Sequence, residues 1–260
     1  MRNHRVASRT LGELEADAKT WDTYNALTDG QREMPAFYPA VRCPNWWGAG
    51  TEPHQLHDLA ATDGIPVAWV PPAMVLRRLV DVTGADRSVV HDQRLAVIVA
   101  AEADIRDACV GVVSECGDEW ISEDKKVAEK VLLAWGDGHR GAAACLALAC
   151  AEDIMFTVAQ VDRKKKYAGI KSAASRPLSP ILPNLQAALT PLQALYTAYY
   201  PEKNDPAPTT LSRHVVFHRL VLSHLNFGHC IIAIMIMASL LRQLQFICED
   251  VRHQSEVDWA

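Results

Sequence analysis

From residue 73 onward, apolar positions recur at helical spacing through most of the chain, and the pattern predicts a mainly α-helical protein. Val75, Leu76, Leu79 and Val80 stand at i, i+1, i+4 and i+5, just after Pro71 and Pro72, which suit a helix start. A second helix is predicted from about Ser88 to Val113, with Val90, Leu95, Ile98, Val99, Ile105 and Val112 as its buried stripe. A third spans Glu123 to Trp135. A fourth, Gly138 to Gln160, is rich in small residues that permit close helix contact. A fifth, Pro183 to Tyr200, is kinked or broken at Pro191, and the last runs from near Ser212 to about Val251.

The N-terminal part follows a different pattern. Leu11, Leu14 and Ala18 give only weak helical spacing, and residues 29–53 are rich in Pro, Gly and aromatics. Trp46 and Trp47 are expected to pack on the domain, because aromatic rings bury large areas even from irregular segments. Gly64 to Pro72 alternates and is bounded by Gly and Pro, which predicts an extended segment or a lone strand. The expected architecture is an irregular arm over residues 1–60 and a helical bundle with a long C-terminal helix over 61–260.

Composition narrows the class. With 260 residues, 49% apolar and 22% charged, the chain resembles an ordinary globular protein. A net charge of −5 gives no general affinity for nucleic acid, so any such binding needs a local patch. The candidate patch is Arg163, Lys164, Lys165, Lys166, Lys171 and Arg176, a stretch without an acid. Nine acids against three bases in Glu102–Glu129 suit a solvated face. The seven cysteines are odd in number and form no C-x-x-C, which favours reduced thiols in a cytoplasmic protein. The N-terminus has basic residues but no apolar core of a secretory signal.

Leu220–Leu241 is 22 residues without a formal charge, near the roughly 20 needed to span a bilayer. Its uninterrupted apolar part, Cys230–Ala238, is short, and Ser223, His224, Asn226 and His229 are costly in lipid. A buried helix of a soluble protein is the expectation, with no membrane contact. A membrane anchor is the less favoured alternative.

At the head of the last predicted helix the chain reads Arg213-His214-Val215-Val216-Phe217-His218. On a helix His214 and His218 share a face, with Arg213 beside them near an N-terminal end that favours anions. Such a group suits RNA cleavage. A histidine with a pKa of about 6.5 can take the proton of a 2′-hydroxyl or give one to the leaving 5′-oxygen. An arginine can hold the phosphoryl oxygens as charge develops. No metal or cofactor is then needed.

The segment "SRHVVFH" resembles the R-[N/D/H]-x-x-x-H motif of HEPN domains, helical bundles that include many metal-independent endoribonucleases of toxin–antitoxin and phage-defence systems. The similarity extends over roughly Gly64–Cys248, towards uncharacterised actinobacterial HEPN-like proteins. It implies Arg213 as the transition-state arginine and His218 as the catalytic histidine, with His214 at the variable polar position. It also implies a homodimer with two motifs facing each other, and an antitoxin or regulatory protein as a possible partner. Ser212 stands where the family often has Asn, and Arg219 where Gly is common. Arg219 is therefore a candidate second phosphate contact. The alternative within the same resemblance is a non-catalytic helical binding or regulatory module.

Other candidates are weaker. His54 and His57 have metal-like spacing but no third ligand, so a surface loop pair is expected. His214 and His218 likewise lack a neighbouring carboxylate ligand, and no metal site is predicted. His224 and His229 suit satisfied core positions. Glu152 and Asp153 interrupt an apolar helix, one of them suited to pairing with Arg213, and Asp153 is carried as a supporting residue. No P-loop, dinucleotide-binding or esterase motif is present.

Overall fold

The computed structural model describes residue 51 and residues 53–159, 183–218 and 221–257. Among these residues there are helices and no strand, and the architecture is a mainly α bundle closed by a long C-terminal helix. The order is α1 (Pro53–Asp63), α2 (Ala73–Asp81), α3 (Arg87–Ala100), α4 (Glu102–Ser114), α5 (Ser122–Gly136) and α6 (Arg140–Ala159). After the undescribed stretch come α7 (Pro183–Leu189), α8 (Leu192–Leu195), α9 (Arg213–His218) and α10 (Phe227–Val257). A 3₁₀ turn, Leu222–Leu225, joins the last two.

The bundle is built around α10. Every residue from Gly228 to Leu241 is buried, which is why this helix is apolar on all sides rather than along one stripe. It packs most extensively on α6, then on α4, α3, α7 and α5. Ala143, Ala144, Ala147 and Ala151 of α6 are all buried, and their small side chains let the two backbones approach closely. Phe227–Glu249 is long and apolar enough to cross a membrane, yet 83% of its most apolar window lies inside the protein. Burial also pushes the thiols of Cys109, Cys116 and Cys150 up to about 12, so they stay protonated and unreactive.

Local signals set the element ends. Asp86 caps α3, its carboxylate accepting the Ser88 N–H at 2.9 Å. Gly138, at φ +83°, ends α5 in a left-handed turn in which His139 N–H donates to the Ala134 carbonyl at 2.8 Å.

Four expectations are corrected. The helix predicted over Ser88–Val113 is two helices, separated at Ala101, where the backbone leaves the helical region at φ −99° and ψ 15°. The helix predicted from Ser212 to Val251 is also divided. Asn226 is extended, and its Oδ1 accepts the His229 N–H at 2.9 Å, so it caps a new helix and stops the old one.

Gly64–Pro72 is not a strand. It is an irregular buried segment with left-handed residues at Gly64 and Trp69, which no ladder accommodates. Side chains from α10 satisfy it instead. Ser239 Oγ donates to the Ala68 carbonyl at 2.7 Å, and Trp69 Nε1 donates to Gln243 Oε1 at 3.2 Å. Finally, His54 and His57 lie on helix α1 rather than in a loop, and Leu56, Leu59 and Ala60 beside them belong to the core. The expectations for residues 1–50 fall outside the described residues.

Where α10 begins, its backbone lies against α3. A Cβ added to Gly228 would stand 2.9 Å from Leu95 Cδ2 and 3.1 Å from Leu95 Cβ. The first contact can relax by a side-chain shift, but the second is fixed close to the α3 backbone. Gly228→Ala is therefore expected to destabilise by about 1–2 kcal/mol, overpacking exceeding the helix-propensity gain of about 1 kcal/mol. Denaturant unfolding of Gly228→Ala, alone and with Leu95→Ala, checks this. The second substitution should make the first nearly neutral or favourable.

Candidate functional site

Helix α9 is short, and its apolar residues fix its orientation. Val215 and Val216 face inward, Arg213 and His214 are half-buried, and Phe217 and His218 are exposed. At six residues the helix carries little dipole, so the anion-binding contribution expected from a long helix falls away. The charge at the site comes from Arg213 itself.

The Arg213 guanidinium is held on two sides. Its Nη2 donates to both carboxylate oxygens of Glu152, at 3.1 and 3.2 Å, and Nε donates to Oε2 at 3.4 Å. This fork ties α9 to α6, with side-chain exposures of only 13% and 16%. Nη1 lies 3.2 Å from His218 Nε2, and since guanidinium nitrogens only donate, that imidazole nitrogen presents a lone pair. His214 stacks obliquely near His218, with ring centroids 5.5 Å apart. Burial, then the His218 and Arg213 charges, lower the His214 pKa.

Arg213, His214 and His218 therefore share one edge of the bundle. Glu152 carries the Arg213 contact, while Asp153 next to it is exposed. Arg219 and the basic residues Arg163, Lys164, Lys165, Lys166, Lys171 and Arg176 lie outside the described residues. No group of three metal-ligating side chains occurs among the described residues.

Behind this edge lies a buried polar chain. Ser212 is wholly buried, and its N–H donates to His224 Nε2 at 2.9 Å. The His224 carbonyl accepts from His229 Nδ1 at 2.6 Å. His229 Nε2 meets His91 Nε2 at 3.4 Å, and His91 Nδ1 donates to Asp63 Oδ1 at 2.7 Å. Arg94 completes the chain through Asp63 Oδ2.

Environment sets the charge of several of these groups. Burial pushes His229 down to about 4, the His224 carbonyl opposing only part of the effect. Burial also lowers His224. Burial works against the Asp63 charge too, but the His91 hydrogen bond and the Arg94 charge outweigh it, and the carboxyl is held below its ordinary value.

Sequence reasoning singled out His224 and His229 but not His91, Asp63 or Arg94. Asp63 and His91 are 28 positions apart, His91 and His229 138 apart, and no local spacing signals such pairs. No protein-family model matches the chain, and neither a curated protein nor a solved structure matches it.

Two outcomes follow from the buried chain. The unfolded chain protonates His229 near the ordinary value of about 6.5, and the folded chain only near 4. The stability this residue contributes is thus complete above the unfolded value and lost as pH falls towards 4. The expected loss is about 3 kcal/mol, read from urea unfolding across that window. Ser212 Oγ, buried and without a hydrogen-bond partner, contributes no cap. Ser212→Ala is accordingly expected to change stability by less than about 0.5 kcal/mol, against the roughly 1 kcal/mol lost at a working N-cap, as thermal unfolding would show.

Proposed function

We propose that the protein is a metal-independent endoribonuclease of the HEPN type, working in the cytoplasm as a homodimer, with Arg213 and His218 as its catalytic pair. The observation that carries this reading is the 3.2 Å approach of Arg213 Nη1 to the Nε2 of exposed His218. A phosphate and a general base would be engaged from the same place. A phosphate taking Nη1 would release the His218 lone pair, coupling substrate capture to activation of the base.

In the proposed reaction His218 accepts the 2′-hydroxyl proton, the 2′-oxygen attacks phosphorus, and the bond to the 5′-oxygen breaks. The 5′-oxygen leaves with a proton supplied by the facing site of the second copy. The product ends are a 2′,3′-cyclic phosphate and a 5′-hydroxyl. Arg213 offsets the charge that builds on the phosphoryl oxygens. His214, Arg219 and the 163–176 stretch would hold neighbouring phosphates. A toxin or phage-defence role, with a regulatory partner, follows only from the family resemblance.

One observation favours a second reading. The bidentate Arg213–Glu152 pair joins two helices and already neutralises the guanidinium, as a structural contact in a non-catalytic binding module would. The deciding experiment is cleavage of RNA by the purified protein in EDTA, beside Arg213→Ala and His218→Ala. Each variant, folded by circular dichroism, is expected to lose about 10²–10⁴-fold in rate. Absence of cutting by folded wild-type protein would favour the binding module. Cutting that persists in both folded variants would remove these residues from the reaction.

A further inference from the structure

The fork to Glu152 holds the Arg213 side chain, whereas the backbone at the head of α9 is held separately. Ser212, the residue before α9, offers its carbonyl to the Val216 N–H at 3.2 Å and so closes the first turn of the helix. Ser212's own N–H lies ahead of the helix and has no helical acceptor. It is wholly buried, so water does not serve it either. The recorded acceptor is His224 Nε2, from the 3₁₀ turn between α9 and α10.

His224 is itself fixed at two points. Its ring accepts from Ser212, and its backbone carbonyl takes the Nδ1–H of His229, whose centroid stands 4.9 Å from that of His224. His229 in turn is rooted in α10, capped there by Asn226, and faces His91 and, through it, Asp63. The head of the reactive edge is thereby tied to the buried start of α10, the helix around which the bundle packs.

We propose that His224 is a positioning residue for the Arg213–His218 pair, acting through the Ser212 N–H and fixed by the His229–His91–Asp63 chain. His224 touches neither reacting side chain. The acceptor must be an unprotonated Nε2, which requires the neutral ring with its proton on Nδ1. Burial of His224 keeps the ring in that form. A side chain that offers an acceptor at the same reach can replace it; one that offers none, or falls short, cannot.

The kinetic arm of the test rests on the nuclease reading, and the exchange arm does not. In the full-length protein, amide hydrogen exchange at Ser212 is measured for wild type, His224→Gln, His224→Asn and His224→Leu. Alongside are the kcat and KM for RNA cleavage in EDTA and the NMR signal of the Arg213 Nε–H. Gln places an amide oxygen near the position of Nε2, whereas Asn is one carbon too short and Leu has no acceptor.

The expected result is Ser212 exchange at least about tenfold faster in Asn and Leu, and near wild type in Gln. The Arg213 signal should shift in the same two variants. kcat should fall by about 10²-fold with KM little changed, the signature of a displaced catalytic group rather than lost binding. If the Leu variant does not fold, the Asn variant decides the matter. Ser212 protection unchanged in Asn, or lost without movement of the Arg213 signal or of kcat, overturns the proposal. Should wild type cut no RNA, the nuclease reading fails alone, and exchange with the Arg213 signal still decides the positioning role.

Discussion

Burial of α10 on every side is the constraint from which the other arrangements follow. A helix exposed along one face can leave its first N–H groups to water, but here Gly228, His229 and Cys230 are already buried in the first turn. Asn226 meets part of that need, its Oδ1 accepting the His229 N–H and capping the helix, and the His229 ring in turn bonds through Nδ1 to the His224 carbonyl. Each imidazole offers one donor and one acceptor in its neutral form, so a run of them can hand a hydrogen bond from backbone to backbone. The chain ends on Asp63 and Arg94, where a full charge is matched by a full charge. Helices α1, α3, α9 and α10 are joined through this single path.

Environment separates histidines that the sequence alone presents as equals. His214, His218, His224 and His229 occur within 16 residues. His229 and His224 are buried and stay neutral, which suits them to fixed hydrogen bonding. His218 is exposed at the end of a short helix, where its ring meets solvent and an arginine. The half-buried His214 stands between these extremes. A proton-transfer role needs a group that solvent or substrate can reach, and only the outer members of the run meet that condition.

The class of fold was legible because apolar spacing is a local property. The stripe of α3 and α4 and the small residues of α6 could be read without knowing what lay opposite. The ends of elements were less legible. Ala101 carries no breaker residue, and the division there reflects how α3 and α4 each meet the core. The interruption ahead of α10 was signalled by Asn226, a favoured cap, but the apolar run after it masked the cap. Gly64–Pro72 alternates like a strand, yet it is irregular, and side chains of α10 meet its Ala68 carbonyl and Trp69 Nε1. The one-turn spacing of His214 and His218, with Arg213 beside them, was visible in the sequence. The fork to Glu152 was legible only as a choice between Glu152 and Asp153, and the path to Asp63 joins residues far apart in sequence, which local spacing does not encode.

The buried thiols have a consequence for watching the molecule move. Cys109 and Cys116 are wholly enclosed, Cys150 nearly so, and all three are held protonated far above neutral pH. An alkylating reagent meets a reactive thiolate at these positions only after the surrounding helices part. The rate at which each cysteine is modified therefore records how often its own part of the bundle opens. These three lie on α4, just after it and on α6, so the breathing of those parts of the bundle can be followed without adding a label.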